Sequence, residues 1–315
     1  MIGFGPSQKD IRSVTSSIMQ SALRIGWIGT GVMGSSMAGH LLAAGHSLTI
    51  HSRTKSRAAG LLSRGANWAQ TPVEAASGMD FLFSMVALPS DVESVHLGHH
   101  GTLSAPSVPK FLVDMTSSRP SIARKIAQIA SEKGSFAFDA PVTGGDIGAR
   151  NATLSILVGG DASAFEQVLP VLKIMGKTVV LQGDAGCGQQ AKVVNQILIA
   201  STMMGICEAL LYARESGLDP ERVLESVSAG AAGSWSLANL APRILKGDFE
   251  PGFFIDHFLK DLGIALEECH ANNLHVPGLL LAESLYRKAQ EANHGRKGTQ
   301  ALYLHYASGK GSRHS

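Results

Sequence analysis

The sequence predicts the α/β fold class, with a doubly wound sheet in the N-terminal half and an all-α domain in the C-terminal half. Short apolar runs alternate with segments of helical periodicity up to about residue 183, a pattern typical of a parallel sheet with helices on both faces. From Gln189 onward almost no strand signal remains, and helical segments follow one another. A glycine-rich turn also follows the first apolar run, which is typical of a nucleotide-binding sheet.

Each element has its own local signal. Apolar runs predict strands at 23–28, 47–51, 80–86, 110–114, 135–139, 153–158 and 178–181. Apolar and small residues at helical spacing, often with Gly or Pro at the ends, predict helices at 33–44, 54–63, 71–76, 120–133 and 162–175. In the second half, helices are expected at 189–216, from 219 onward, and at about 235–246, 256–272 and 277–292.

The glycine-rich turn reads GTGVMG and lies between a predicted strand and a predicted helix. In that context GxGxxG indicates a Rossmann-type dinucleotide site, because its glycines permit a tight turn, close approach of a pyrophosphate and close packing of helix on strand. The N-terminus of the following helix also favours phosphate. We therefore expect the cofactor to contact Gly29, Thr30, Gly31, Val32, Met33 and Gly34.

The end of the second strand indicates which dinucleotide binds. NAD-binding proteins usually place Asp or Glu here to bind the ribose 2′-hydroxyl, but residues 51–57 read HSRTKSR and contain neither. Guanidinium groups hold phosphate well. The sequence therefore predicts NADP(H) in preference to NAD(H), which stays possible, with Arg53 as the main contact beside Ser52 and Thr54.

Composition excludes some function classes. The 315 residues carry a formal net charge of +2 and only 17% charged residues, so no nucleic-acid partner is expected. No apolar run reaches the length that spans a bilayer, and no membrane partner is expected. Three widely spaced cysteines favour a reduced intracellular compartment. Residues 1–23 are interpreted as a disordered leader or a transit peptide, which leaves cytoplasm and mitochondrial matrix open.

Several further motifs carry a family resemblance. DAPVTGG stands at 139–145, GCGQQAKVVNQ at 186–196, DMTS at 114–117, GSW at 233–235 and FLKDL at 258–262. Together with GxGxxG they resemble the β-hydroxyacid dehydrogenase family, in its 3-hydroxyisobutyrate dehydrogenase-like and semialdehyde reductase branch. The resemblance covers about residues 24–307. It implies an NAD(P)-dependent oxidoreductase that interconverts a small β-hydroxyacid and its semialdehyde.

The resemblance also implies roles for individual residues. Lys192 matches the family's catalytic lysine, the general acid/base at the reacting oxygen. Asn195 and Gln196 follow it by three and four residues, and the family usually has Asn at the second of these positions. Both are expected to bind the substrate. We expect Asn195 to orient the substrate hydroxyl, with Gln196 as the alternative. Thr143 stands where the family usually has Ser. Its hydroxyl and the N–H groups of Gly144 and Gly145 are expected to bind the substrate carboxylate.

The remaining site residues come from other motifs. Lys260 is expected to reach the nicotinamide end of the cofactor or the active-site cleft, with Asp261 holding it by an ion pair. Trp235 is expected to line the substrate pocket, with core packing as the alternative. Val86, Thr116 and Ser117 lie at strand ends, where ligands of open α/β sheets bind, and are expected to contact the cofactor.

These assignments give a leader at 1–23, an NADP-binding Rossmann domain at 24–186, and a helical substrate and dimerisation domain at 187–315. No metal site is expected, and His96, His99 and His100 are interpreted as a solvated loop. A non-catalytic dinucleotide-binding module and an imine reductase-like enzyme stay as alternatives. The particular hydroxyacid, the direction of reaction, and the choice between homodimer and homotetramer stay open.

Overall fold

The computed structural model describes residues 22–308, and in this part of the chain nine strands form one sheet. Most of the expected leader and the tail at 309–315 lie outside the described residues. The strands are β1 Arg24–Ile28, β2 Ser47–His51, β3 Asn67–Trp68, β4 Phe81–Ser84, β5 Phe111–Asp114, β6 Phe136–Asp139, β7 Val142–Thr143, β8 Leu154–Gly159 and β9 Gly176–Gly183.

The first six strands are parallel and lie in the order β3-β2-β1-β4-β5-β6, the arrangement of a dinucleotide-binding sheet. The strand β8 then pairs antiparallel with β6 and β7, and parallel with β9. The order reverses between β1 and β4. Open α/β sheets bind ligands at such a point, outside the carboxyl ends of the strands.

Helices cover the sheet on both faces. They are α1 Val32–Ala43, α2 Ala59–Leu62, α3 Pro72–Ala76, α4 Pro89–Leu97, α5 Pro120–Glu132, α6 Gly145–Arg150 and α7 Ala162–Leu172. Alternate residues of β1 enter different apolar clusters: Ile25 and Trp27 belong to the cluster that includes Met37 of α1, whereas Ile28 belongs to the cluster that includes Ile122 of α5. Burial on both faces explains why these strands are continuous apolar runs in the sequence.

The chain divides into two compact units between Lys192 and Val193, inside the 29-residue helix α8 Cys187–Glu215. The described part of the second unit contains α9 Pro220–Ser228, α10 Trp235–Leu245, α11 Ile255–Ala271, α12 Pro277–Ala289 and α13 Leu302–Ser308. Its core includes Met203, Phe258 and Tyr286. The predicted fold class, a Rossmann-type sheet followed by an all-α domain, is confirmed.

Some elements differ from the sequence prediction. The helices α4, α6 and α13 and the short strands β3 and β7 were not expected. Pro89 at the first position of α4 fits a helix start, but its following residues show no clear apolar stripe. The helix α6 begins at Gly145 and is only six residues long, so glycine obscures it in the sequence.

The expectation that no segment is long and apolar enough to span a bilayer was wrong for α8. An 18-residue window of this helix has a mean hydropathy of 1.5, which suffices by length and composition alone. Core helices of soluble proteins meet the same test, and 39% of the window is buried within the structure. Small and polar residues between the apolar ones conceal this property when the sequence is scanned for unbroken apolar runs.

Candidate active site

The loop between β1 and α1 has the geometry that a pyrophosphate needs. Gly29 has φ +98°, and a Cβ there would overlap the carbonyl oxygen of Met85. A Cβ on Gly34 would overlap the carbonyl oxygen of Gly29, so this glycine allows α1 to pack on the loop. A Cβ on Gly31, in contrast, would meet nothing within 4 Å. The space beside Gly31 is open on the ligand side, as close approach of a phosphate requires.

Two further features of this loop fit a dinucleotide. No side chain caps the first turn of α1, which therefore leaves N–H groups of the helix N-terminus for an anion. The buried hydroxyl of Thr30 has no hydrogen-bond partner among the described residues. Buried polar groups normally form a hydrogen bond, so this hydroxyl is available to bond to a dinucleotide. Val32 is exposed and Met33 partly exposed beside it.

The end of β2 is open to solvent. Ser52 is half-buried, and Arg53 and Thr54 are exposed. The guanidinium of Arg53 pairs with Asp91 at the start of α4, with 3.2 Å between Nη1 and Oδ1, while 79% of its side chain stays accessible. The cationic side chains of this stretch therefore lie on the surface and take no part in core packing.

The ends of β4 and β5 hold a buried polar network. Ser84 Oγ donates to Asp114 Oδ1 at 2.7 Å and lies 2.9 Å from His96 Nε2. The N–H of Thr116 donates to Asp114 Oδ1 at 3.2 Å, and the Thr116 hydroxyl accepts from the N–H of Val86 at 3.0 Å. Both β-strand ends are thus held in fixed positions. The Thr116 side chain is almost fully buried, whereas the neighbouring Ser117 is partly exposed.

The expectation of a solvated histidine loop was wrong for His96. This side chain is 1% exposed and lies in α4, with Nδ1 2.8 Å from Thr102 Oγ1. Burial lowers the pKa of His96 to about 4. His99 and His100 are exposed. Among residues 22–308, no group of three His, Cys, Asp or Glu side chains could hold a metal ion.

Lys192 is buried in the first unit and its ammonium has a defined position. Nζ donates to the carbonyl oxygen of Val142 at 2.9 Å, and the residue is 8% exposed. This contact brings the lysine to the DAPVTGG loop, directly beside the partly exposed Thr143. Gly144 and Gly145 have φ of +124° and +62°, backbone conformations that favour glycine. The ammonium of Lys192 is therefore bonded to the residue that precedes Thr143, Gly144 and Gly145 in the chain.

The second unit holds a separate chain of polar contacts. Asn195 Nδ2 donates to Gln196 Oε1, and Gln196 Nε2 donates to Asp261 Oδ2, both at 2.6 Å. Asp261 Oδ1 pairs with Lys260 Nζ at 2.9 Å, so the expected ion pair is present. Gln196 is 2% exposed, whereas Asn195 is partly exposed. Trp235, at the start of α10, is 54% exposed, so the alternative of core packing was wrong for this residue.

Two family models together cover nearly all of the described chain. Residues 24–183 match the NAD binding domain of 6-phosphogluconate dehydrogenase, and residues 186–306 match the NAD-binding domain of NADP-dependent 3-hydroxyisobutyrate dehydrogenase. The chain belongs to the β-hydroxyacid dehydrogenase family. It is therefore an oxidoreductase that uses a nicotinamide dinucleotide, and the expected enzyme class is confirmed.

Individual relatives agree with this membership. An uncharacterized oxidoreductase of Bacillus subtilis, YkwC, is 51% identical over 89% of this chain and 97% of its own length. A probable mitochondrial 3-hydroxyisobutyrate dehydrogenase-like protein of Arabidopsis thaliana is 49% identical over 93% and 90%. The structure of Mycobacterium tuberculosis 3-hydroxyisobutyrate dehydrogenase with L-serine superposes with a TM-score of 0.82 at 28% identity, covering 90% and 99%.

The imine reductase alternative receives no support beyond the fold. The structure of a Pseudomonas imine reductase is similar to this chain, with a TM-score of 0.61 at 19% identity. At that identity the likeness concerns the arrangement of helices and strands alone.

Sequence reasoning missed three residues of the site in the first unit. The carboxylate of Asp139 accepts from the N–H groups of Gly186 at 2.7 Å and Gln189 at 2.8 Å, and so caps the start of α8. The side chain of Gln189 bonds to the segment after β5. Ser118 Oγ is buried and has no hydrogen-bond partner among the described residues. Asp139 belongs to the quoted DAPVTGG motif, but no local pattern indicates what it contacts.

Proposed function

We propose that this dehydrogenase interconverts a small β-hydroxyacid and its semialdehyde, with Lys192 as general acid/base and with NADP(H) preferred over NAD(H). The candidate β-hydroxyacids are 3-hydroxyisobutyrate and glycerate, each with its semialdehyde. Two pairs of similar size are also candidates: 4-hydroxybutyrate with its semialdehyde, and glyoxylate with its hydroxyacid, although their hydroxyl groups are on the γ and α carbons. The observation that carries the proposal is the buried ammonium of Lys192, held 2.9 Å from the Val142 carbonyl in the DAPVTGG loop. The L-serine that accompanies the mycobacterial relative in its structure is itself a β-hydroxyacid.

The proton is the part of the reaction that this chain supplies. The hydride would be supplied in reduction, and taken up in oxidation, by a nicotinamide bound at the loop Gly29–Gly34 and the neighbouring strand ends. Lys192 gives its proton to the carbonyl oxygen in reduction and receives the hydroxyl proton in oxidation. An acid positioned in this way contributes about 10²- to 10⁴-fold to the rate. The bond to the Val142 carbonyl restricts the ammonium to one position, which favours that transfer.

The substrate carboxylate is assigned to Thr143, Gly144 and Gly145. Both glycines have positive φ, so their N–H groups can turn toward an anion where another residue would be strained. In the second unit, Asn195 is assigned to the substrate hydroxyl in preference to Gln196. The amide of Gln196 already bonds to both Asn195 and Asp261, whereas Asn195 is accessible. Trp235 is exposed enough to line a substrate pocket.

The cofactor is assigned to the loop Gly29–Gly34 and to the strand ends that carry Val86 and Ser117, with Lys260 and Asp261 acting from the second unit. The NADP(H) preference is supported by Arg53, whose accessible guanidinium follows a strand that ends without a carboxylate. Placing a phosphate beside this group forms charge-assisted hydrogen bonds, which are stronger than neutral ones.

A substrate panel tests the reaction. Succinic, tartronate and methylmalonate semialdehydes and glyoxylate are offered with NADPH and with NADH, and the matching hydroxyacids are offered with the oxidised cofactors. We expect turnover of at least one pair, with a higher kcat/KM for the NADP couple. Binding of NADPH without turnover of any pair would contradict the proposed substrate class.

We also propose that the enzyme is an intracellular homo-oligomer, in the cytoplasm or the mitochondrial matrix. The helix α8 exposes Val194, Leu198 and Tyr212 by 58–70%, and exposed apolar side chains on one helix are typical of a subunit interface. Light scattering of the purified protein measures the state directly, and a monomer at micromolar concentration contradicts it.

A further inference from the structure

Gln189 connects two segments of the first unit that are far apart in the sequence. It is 1% exposed, and its side-chain amide makes two hydrogen bonds to one stretch of backbone. Nε2 donates to the carbonyl oxygen of Thr116 at 2.7 Å, and Oε1 accepts from the N–H of Ser118 at 2.9 Å. This pair of bonds fixes both the distance and the orientation of the segment Thr116–Ser118 relative to the start of α8.

The backbone of Gln189 is anchored independently. Its N–H donates to Asp139 Oδ2 at 2.8 Å, and the other oxygen of that carboxylate accepts from Gly186. Glycine is required nearby, because a Cβ on Gly188 would overlap the carbonyl oxygens of Leu157 and Asp139. The first turn of α8 is thus pressed against β6 and β8. Lys192 follows Gln189 by three residues on this turn, so its position is fixed by the same contacts.

We propose that Gln189 is a positioning residue for the reaction, and this inference rests on the proposed function. The segment Thr116–Ser118 carries Ser117, which is assigned to the cofactor, and Lys192 is assigned to the proton. The amide of Gln189 sets the distance between them without contacting either reactant. Loss of this link therefore slows hydride transfer, because hydride and proton must reach the same carbonyl group.

Two substitutions separate the two hydrogen bonds. Gln189→Glu keeps the acceptor for Ser118 N–H but places a carboxylate oxygen against the carbonyl oxygen of Thr116. Gln189→Met keeps the length of the side chain and removes both bonds. For each variant that folds, we expect kcat to fall at least tenfold while the Kd of NADPH changes less than threefold. The primary isotope effect from NADPH deuterated at the transferred position should increase, because hydride transfer becomes slower than product release.

Gln300→Met is the matched control. Gln300 is also 1% exposed, and its Nε2 donates to the carbonyl oxygens of Asp248 and Glu250 in the second unit. This variant should lower thermal stability by an amount similar to Gln189→Met, with kcat and the isotope effect unchanged. The comparison distinguishes positioning from a general loss of stability.

The outcomes separate this inference from the function on which it rests. Absence of wild-type turnover on the substrate panel contradicts the proposed function. Wild-type turnover together with unchanged kcat and isotope effect in the Gln189 variants overturns the positioning role. Amide hydrogen exchange needs no substrate: residues 116–118 and 189–192 should exchange faster in Gln189→Met, or in Gln189→Glu if Met prevents folding. Unchanged exchange in both segments also overturns it.

Discussion

The two ends of the predicted cofactor-binding edge are built in opposite ways. At the end of β2, residues 53–57 are exposed, and the ion pair between Arg53 and Asp91 is accessible to solvent. At the ends of β5 and β6, the side chains of Asp114, Asp139 and Gln189 are buried and bond to backbone groups. One edge of one sheet therefore carries an exposed, charged end at β2 and a rigid, hydrogen-bonded end at β5 and β6.

This difference corresponds to the role proposed for each end. Distinguishing a 2′-phosphate from a hydroxyl needs a cation within reach, which the exposed Arg53 would provide. Proton and hydride transfer need fixed distances, which a buried hydrogen-bonded network provides. The rigid end has an energetic cost, because burial raises the pKa of Asp114 and of Asp139 to about 6. At neutral pH both carboxylates are ionised in an environment that disfavours their charge.

The largest effect should come from Lys192 at the rigid end. Lys192→Ala removes the proposed acid/base, and we expect kcat/KM to fall about 10²- to 10⁴-fold, the usual range for a positioned acid. The Kd of NADPH, measured by fluorescence, should change less than threefold because the loop Gly29–Gly34 is untouched.

Chemical rescue sharpens this prediction. Ethylamine added to Lys192→Ala can occupy the vacated volume and donate a proton, so turnover should rise with its concentration. Lys192→Met fills the same volume and should not be rescued. Turnover of Lys192→Ala within threefold of the wild type would remove the lysine from the mechanism.

The rigid end could be predicted only in part from the sequence. The roles of the glycines in the loop Gly29–Gly34 follow from local spacing, although Gly29 also avoids the distant carbonyl oxygen of Met85. Gln189 acts on a segment 71 residues earlier, and Asp139 acts on one 50 residues later, so no local pattern indicates either contact. His96 was placed in solvent because its burial depends on Ser84, in a strand, and on Thr102, in the following turn. Tertiary contacts decide such polar networks.

The cost of the rigid end should be measurable as a pH dependence of stability. Folded Asp139 keeps its proton up to about pH 6, whereas the unfolded chain releases it near the ordinary pKa of 3.8. The free energy of unfolding of the wild type therefore carries a contribution from Asp139 that falls as pH rises from about 4 to 6. At about 1.4 kcal/mol for each pKa unit, this contribution is about 3 kcal/mol. Asp139→Asn should remove it, as urea unfolding at pH 4, 5, 6 and 7 would show.

Asp161→Asn provides a control with the opposite sign. Asp161 also caps a helix, α7, but it is exposed, and its bonds to Ser163 lower its pKa. Its contribution to stability is present above its ordinary pKa and is lost only below about pH 4. Between pH 4 and 6, the free energy of unfolding of Asp161→Asn should therefore change with pH in parallel with that of the wild type. An Asp139→Asn profile parallel to the wild type over this window would show that burial imposes no such cost.

The exposed end of the edge should give the smallest of these effects. Arg53→Ala removes one charge-assisted contact at an exposed position, where a hydrogen bond to a charged group contributes about 1.5 kcal/mol. The KM for NADPH should rise about tenfold, because about 1.4 kcal/mol corresponds to a factor of ten. The KM for NADH should change less than twofold, since that cofactor lacks the 2′-phosphate. Steady-state kinetics with both cofactors measure the two values.

Arg24→Ala tests whether the effect is local. Arg24 forms a similar surface pair with Asp80, at 2.7 Å, but it lies at the amino end of β1, the opposite edge of the sheet. It removes the same charge from the protein, so a general loss of attraction for an anionic cofactor would affect both variants equally. A tenfold rise in the KM for NADPH in Arg53→Ala alone assigns discrimination between the two cofactors to the exposed end. An equal rise in the KM for NADPH in both variants would mean that Arg53 does not recognise the phosphate, and so would an equal rise in the KM for NADPH and NADH in Arg53→Ala. The contrast between the two ends would then have no role in the choice of cofactor.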